Sequence, residues 1–426
     1  MARSKDSAGL PSLAHAEWLT RRETRAVLKA LGAEGAEARA VGGAVRNALM
    51  GTPVKDVDIA TTALPDEVMA LAKRAGLHAV PTGFEHGTVT VVVDKVPFEV
   101  TTLRRDIETF GRHARVTFTT DWREDAMRRD FTMNALYCDG DGSVHDPLGG
   151  YADLKAKRVR FIGDAHQRIR EDYLRILRFF RFIAQYGDGS APDPQGLAAA
   201  RSEKAGLAHL SGERIRAELL LLLAAPGAVA ALATMRENGL IEPLVGVSGD
   251  VEHVARLAAI EEALGLPPDA VLRLAVLVGN GSPGLREKLR LSTVEAERLA
   301  HAAVSSEVFD PRSKEQAAKA FIYLHGAQAF HDGALLDWVR SIDETNDAAR
   351  AARLRLPQRW SAPKLPVRGA DVMALGVAAG PAVGRVIDAF ENWWIAAGFP
   401  MEEPEVRAKL EELVRGELAF RRDAKP

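Results

Sequence analysis

A chain of 426 residues is too long for one ordinary core, so roughly two to four structural units are expected. With 47% hydrophobic and 27% charged residues, and no apolar run long enough to span a bilayer, the composition is that of a globular protein and excludes a transmembrane one. A formal net charge of −2 excludes a protein that coats nucleic acid by bulk charge, but leaves room for a local basic groove.

The N-terminal run MARSKDSAGLPSLAHAEWL has no signal-type hydrophobic core. The single cysteine, Cys138, reads as a small buried residue in a reducing compartment, so a cytoplasmic location is expected. Next come an amphipathic helix from Leu13 to Leu31 and a short strand from Glu37 to Val41 that runs into Gly42-Gly43. A helix from Val45 to Met50 ends at Gly51, where a left-handed cap is available. Val54 to Ala60 alternates as a strand, and Pro65 opens a helix to Ala75. Leu77 to Pro81, Thr88 to Val93 and Pro97 to Leu103 are β-rich. After about Asp153 the β signal fades, and Glu213–Leu223, Val251–Leu264, Ala270–Val278 and Glu315–His325 read as helices. Ser292 to Glu295 has capping-box spacing, and Ser211 reads as a helix N-cap. Breaks fall at Tyr186–Gln195, Gly279–Gly284 and Pro357–Pro366. The fold class is therefore α+β: a head with a small mixed sheet flanked by helices, then an all-helical remainder.

Within VGGAVRNALMGTPVKDVDIAT, Asp56 and Asp58 lie two apart, so a strand would turn both to one face. Adjacent carboxylates repel unless a cation lies between them, and Mg²⁺ is a hard cation suited to carboxylate and triphosphate oxygens. Alone, such a pair is weak evidence of a metal and fits a solvated strand end better. Gly42 and Gly43 stand between a strand and a helix, where bare backbone N–H groups can approach a phosphate and Arg46 adds charge. Together these residues resemble the first motif of the DNA polymerase β nucleotidyltransferase superfamily. Glu99, in VPFEVTT, is either the third acidic residue of that superfamily, assisting a metal ligand or taking a proton, or simply a solvated strand residue.

Three further motifs follow. DWREDAMRRDFTMNAL resembles the RRDFT-x-NAL motif of tRNA nucleotidyltransferases and bacterial poly(A) polymerases, which implies that Arg129 binds triphosphate and Asp130 helps position the ribose. DPLGGYADL (Asp146 to Leu154) is similar to the turn that joins head to neck in that family, a structural role. EDYLRILRFFRF (Glu171 to Phe182) carries an apolar helical stripe, with Asp172 and Arg175 three apart on one face. An acceptor beside a donor matches the Watson–Crick edge of both cytosine and adenine, whereas guanine and uracil reverse it. The bland reading is a surface ion pair. Arg178 and Arg181 continue at three-residue steps, toward the triphosphate or the base.

The four motifs together resemble the class II tRNA nucleotidyltransferases, the CCA-adding enzymes, and their bacterial poly(A) polymerase relatives. The resemblance implies a catalytic head (1–150), a neck with the base-recognition helix (151–210), a body (211–310) and a tRNA-binding tail (311–426). It further implies two Mg²⁺ ions held by Asp56 and Asp58, ATP and CTP as substrates, tRNA as partner, and addition of C, C and A to the tRNA 3′ end. The segment from Asp106 to Val116, with Arg112 and Arg115, resembles a flexible element of the CCA-adding branch. Poly(A) polymerase and CC-only or A-only addition remain alternatives, as does a non-catalytic RNA-binding protein. Asn47, where the family often has Asp, is left out of the site. His331-Asp332 is weighed as a ligand pair for a phosphohydrolase and set aside. Trp393-Trp394 is expected to anchor the tail helix, and the nearby helix–glycine–helix turn either holds an RNA phosphate with backbone N–H groups or, the favoured reading, serves packing.

Overall fold

Alternation of apolar residues in TVTVVV is enough to make Thr88–Val93 a strand, with Val89, Val91 and Val93 buried on one face. This is β4 of a seven-stranded mixed sheet in the computed structural model, which describes residues 9–110, 113–279, 284–302 and 307–423. The other strands are β1 (Ala38–Val41), β2 (Asp58–Thr61), β3 (His78–Gly83), β5 (Val96–Thr102), β8 (Tyr137–Cys138) and β9 (Val144–His145), in the order β3-β4-β5-β2-β1-β8-β9. β2 and β5 run parallel, with Ile59 opposite Val100, and the other neighbours are antiparallel. Arg104–Phe110 (β6) and His113–Phe118 (β7) pair as a separate two-stranded ribbon. The segment expected as a flexible loop thus has paired strands on both sides, while Arg112 lies outside the described residues.

Among the helices that accompany these strands are α1 (Glu17–Thr20), α2 (Arg22–Leu31), α3 (Gly43–Leu49), α4 (Pro65–Arg74), α5 (Trp122–Met127), α6 (Gly150–Lys155), α7 (Ala165–Glu171), α8 (Leu174–Tyr186), α9 (Pro194–Ser202) and α10 (Gly212–Leu223). The helix expected from Leu13 is split because Arg21 leaves helical geometry at ψ 140°. α2 buries Val27, Leu28 and Leu31, and α4 buries Val68, Leu71 and Ala72, as the two helices pack together beside β4.

The strand expected over Val54 to Ala60 begins only at Asp58. Its partner β1 ends at Val41, opposite Asp58, because Gly42 turns the chain at φ +67° into α3. Residues 54–57 are left without a ladder, so Asp56 precedes the strand and its pleat does not align the two aspartates.

The chain divides into two compact units, Met1–Val251 with Gly281–Leu291 and Glu252–Asn280 with Ser292–Pro426. In the first, the head is fastened to the helices by Phe131, which stands 5.0 Å from Phe161 and 4.8 Å from Phe182 between ring centroids. Phe161 stacks on Phe179 at 5.3 Å, and Gly196 must lack a Cβ because one would stand 2.7 Å from the Phe179 ring. Burying each ring contributes about 2–3 kcal/mol. The DPLGGYADL turn is built as expected for a structural element. Asp146 accepts the N–H groups of Gly150 and Tyr151 at 2.8 and 2.9 Å, and the buried Asp153 accepts from Thr132, Arg158 and Arg160. Cys138 is buried, and burial next to Asp139 and Asp141 pushes its thiol up to about 12.

The second unit is helical among its described residues. Its longest helix, Glu315–Arg340, runs well past His325, bending at Gly326 where φ is +86°. The Ser292–Glu295 capping box forms, with both reciprocal bonds present. Asp332 is buried and accepts from Arg298 and Gln328, which makes it part of an ion-pair network. Trp394 sits in a core with Val386, Phe390 and Phe399 and donates its indole N–H to the Pro400 carbonyl at 2.7 Å.

Candidate active site

The cleft lies wholly within the first unit. It has a volume of about 500 Å³ and is lined by Gly42, Gly43 and Arg46 from the β1–α3 turn, Asp58 from β2, Arg129, Asp130 and Asn134 from the RRDFT-x-NAL segment, and α8 with its entry residue Asp172. Arg214 of α10 closes it. Asp56 and Glu99 are not among the lining residues, although both act electrostatically on Asp58.

On the sheet side, Glu99 of β5 lies one step before Val100, the partner of Ile59, so it sits beside Asp58 across the parallel pair. The Asp58 carboxyl is held above its ordinary value by desolvation in the cleft, then by the Glu99 and Asp56 charges, with Arg129 pulling the other way. Among the described residues no three acidic, histidine or cysteine groups form a ready-made metal cage. An open set of carboxylates that repel one another still suits Mg²⁺, which commonly takes one or two carboxylates and completes its shell with phosphate oxygens and water.

On the other side, each cleft arginine has a protein partner. Arg46 is buried, and its guanidinium reaches Asn134, Asn47 (2.9 Å) and the Tyr186 hydroxyl (2.6 Å), with its Cζ 4.2 Å from the Tyr186 ring. Burial lowers its pKa, a shift opposed chiefly by Tyr186 and Asp130. Arg129 is held by Asp125 and Tyr137. Asp130 accepts from Phe131 N and Asn134 Nδ2, both at 2.8 Å, and takes a forked pair from Arg178. Burial pushes its carboxyl upward, but Arg178 and these hydrogen bonds outweigh it and hold the group at about 2. Arg181 and Arg178 both meet Glu218 of α10, at 2.6 and 3.4 Å.

Asp172 and Arg175 are not an ion pair. Asp172 is extended backbone at the C-terminus of α7, where its carboxylate accepts from Leu174 N at 3.1 Å and from Arg214 at 2.7 Å. Arg175, on the first turn of α8, donates through NH1 to Glu171 and to the Arg168 carbonyl, both at 2.6 Å. The two are adjacent because the α7–α8 junction turns there and brings Asp172 to the start of α8. The expectation of one shared helical face is corrected accordingly. Ser211 is the N-cap of α10 as expected, although its hydroxyl makes no bond to the helix N–H groups.

Sequence reasoning passed over Asn47, Asn134, Phe182, Tyr186, Arg214 and Glu218. The signal for the last two was present: Arg214 and Glu218 are four apart, hence neighbours on α10, at the edge of the buried stripe of Ile215, Leu219 and Leu222. Asn47 was set aside for lacking charge, yet it is a neutral acceptor for the buried Arg46.

Residues 38–160 match the family model described as the poly A polymerase head domain, and residues 191–245 match a probable RNA and SrmB-binding site of polymerase A. The chain is 35% identical over 382 residues to the human mitochondrial CCA tRNA nucleotidyltransferase 1, covering 88% of this chain and 86% of that one. A CCA-adding enzyme of Geobacillus thermodenitrificans is 43% identical over 235 residues, which is 55% of this chain and 57% of the relative. The crystal structure of the Bacillus stearothermophilus CCA-adding enzyme in complex with CTP superposes with a TM-score of 0.76 at 30% identity, covering 93% of this chain and 98% of the other.

Proposed function

The chain belongs to the CCA-adding tRNA nucleotidyltransferases, and from that membership we propose that it adds C, C and A to the 3′ end of tRNA without a template. CTP and ATP are the donors, and each step releases pyrophosphate. What supports the reading is one arrangement: Asp58, the glycine turn Gly42–Gly43 and the acceptor–donor pair Asp172 and Arg175 all line one cleft.

In each step the RNA 3′-oxygen forms a bond to the α-phosphorus, the bond to the β-phosphate oxygen breaks, and pyrophosphate leaves. Asp56 and Asp58 would hold divalent cations, two Mg²⁺ in the reading we favour, which would supply charge that favours the 3′-alkoxide and offsets that of the leaving group. Glu99 is placed beside Asp58 to support it or to accept the hydroxyl proton. The Gly42–Gly43 turn lets a triphosphate approach the backbone closely, with Arg129 and the α8 arginines around it. Asp130, both of whose oxygens are occupied by protein donors, contributes to the ribose side as a fixed wall.

Base choice falls to Asp172 and Arg175. Asp172 accepts from the exocyclic amine of cytosine or adenine, while Arg175 donates to the adjacent ring nitrogen. Guanine and uracil would set donor against donor and acceptor against acceptor. Both side chains are already oriented by Arg214 and Glu171, so little ordering is needed when the base arrives.

The division into head (1–150), neck (151–210), body (211–310) and tail (311–426) is kept as a functional one, with body and tail gripping the tRNA by shape and backbone charge. No helix among the described residues is long and apolar enough to cross a membrane. We assign the reaction to the cytoplasm, a reducing setting that suits the buried single thiol. The deciding experiment extends a tRNA that ends at its discriminator base, using labelled CTP and ATP. Growth that halts after three nucleotides, with C required before A, is expected. An A-tail without limit would reject the proposal in favour of poly(A) synthesis.

A further inference from the structure

Asp125 lies beneath the cleft and takes no part in the reaction as written above. It is fully buried on α5, and although burial acts to raise its carboxyl, Arg129, Arg128 and the Tyr137 hydroxyl hold it at about 2. Its Oδ2 accepts from Arg129 Nε and NH2 at 3.3 and 3.0 Å and from the Tyr137 hydroxyl at 2.8 Å. Its Oδ1 accepts from Arg128 Nε at 2.8 Å and from the backbone N–H of Arg104 at 3.3 Å. Arg104 is the first residue of β6, and Thr119 N donates to the Leu103 carbonyl at 2.9 Å, closing the root of the β6–β7 ribbon. One oxygen therefore grips the Arg129 guanidinium, and the other grips the ribbon where it leaves the sheet.

These bonds take Nε and NH2 of Arg129. Its NH1 stands beside the glycine turn, 3.7 Å from where a Cβ on Gly42 would lie. We infer that Asp125 is a positioning residue for nucleotide binding: it locks Arg129 with NH1 toward the triphosphate and ties that guanidinium to the root of the β6–β7 ribbon. The inference rests on the assignment of Arg129 to the triphosphate. A guanidinium fixed before binding spares the ordering cost that a loose one would impose on each nucleotide. The triphosphate is common to both substrates, so loosening Arg129 weakens CTP and ATP alike and leaves the choice of base untouched.

The test is steady-state kinetics with CTP on tRNA lacking CCA and with ATP on tRNA ending in CC. Asp125→Asn keeps the shape and removes the charge, and KM for both triphosphates is expected to rise by about tenfold with kcat little changed. In an Arg129→Ala background the same substitution should add less than about twofold, since its target is gone. A wild-type KM in Asp125→Asn, or an undiminished effect in the Arg129→Ala background, overturns the inference. An Arg129→Ala enzyme that itself keeps a wild-type KM removes the premise, a failure recognisable as distinct. Should circular dichroism show Asp125→Asn to be unfolded, Tyr137→Phe decides. A rise of a few-fold in both KM values supports the role, and unchanged values overturn it.

Discussion

The two walls of the cleft treat their carboxylates in opposite ways. On the sheet wall, Asp58 is raised by desolvation and by the like charges of Glu99 and Asp56. On the helical wall, Asp130 is half-buried, yet Arg178 and two amide donors hold it at about 2. The difference is one of partners. The helical wall is complete in the protein alone, whereas around Asp58 the sheet wall has negative charge that Arg129 only partly offsets. A finished wall can recognise a substrate by shape and hydrogen-bond direction. An unfinished one can recruit the metal and the triphosphate that complete it.

The largest expected effect is on the unfinished wall. Asp58→Asn should slow nucleotide transfer by on the order of a hundred- to a thousandfold in tRNA extension, comparable to removing a main electrostatic stabiliser. Its effect on stability should have the opposite sign. A raised carboxyl contributes most below its unfolded value, near about 4, and that contribution vanishes as pH rises through the folded value. In chelated buffer at pH 7, Asp58→Asn should therefore melt no lower than the wild type, and added Mg²⁺ should raise the wild-type melting temperature only. A lower Tm for the variant without metal would erase the contrast between the walls.

Acid acts on the finished wall and its foundation. Asp125 and Asp130 have folded values of about 2, so each contributes stability at neutral pH that is lost as pH falls from about 4 through about 2. The loss should be on the order of 2 kcal/mol apiece, read by urea unfolding across that window. Asp130→Asn should remove its share of the slope.

A smaller effect sharpens the recognition half of the comparison. Arg175→Ala should relax discrimination against UTP and GTP by about ten- to a hundredfold, measured as misincorporation, while the fold is retained. Selectivity that survives this change would mean that the helical wall is scaffold alone. Smallest is Gly42→Ala. A Cβ would have room there, 3.6 Å from the Asn134 carbonyl, so only the backbone opposes it: φ +67° with ψ −117° lies outside the left-handed helical region, costing about 1–3 kcal/mol in thermal or chemical unfolding.

Much of this was legible from the residues. Apolar alternation marked β4, proline marked the start of α4, and the spacing of apolar positions marked Val251–Leu264 and Ala270–Val278, because those signals are local and the elements satisfy themselves. The relation of Asp172 to Arg175 was misjudged because a helix break between them leaves no local mark when α7 and α8 adjoin. The start of β2 was misplaced because strand length depends on a partner, and β1 stops where Gly42 turns.

By itself, then, the sequence determined which chemical groups this protein owns and how they are spaced within each motif: the aspartates, the glycine pair, the arginine steps and the apolar stripe. Only the tertiary structure decided how those groups pair. It gave Arg214 to Asp172 and Glu218 to Arg178 and Arg181, and set Asp58 among the charges of Glu99, Arg129 and Asp56. Spacing and periodicity act over a few residues, whereas charge pairing and desolvation depend on distance in space, and some of these partners are about forty residues apart along the chain.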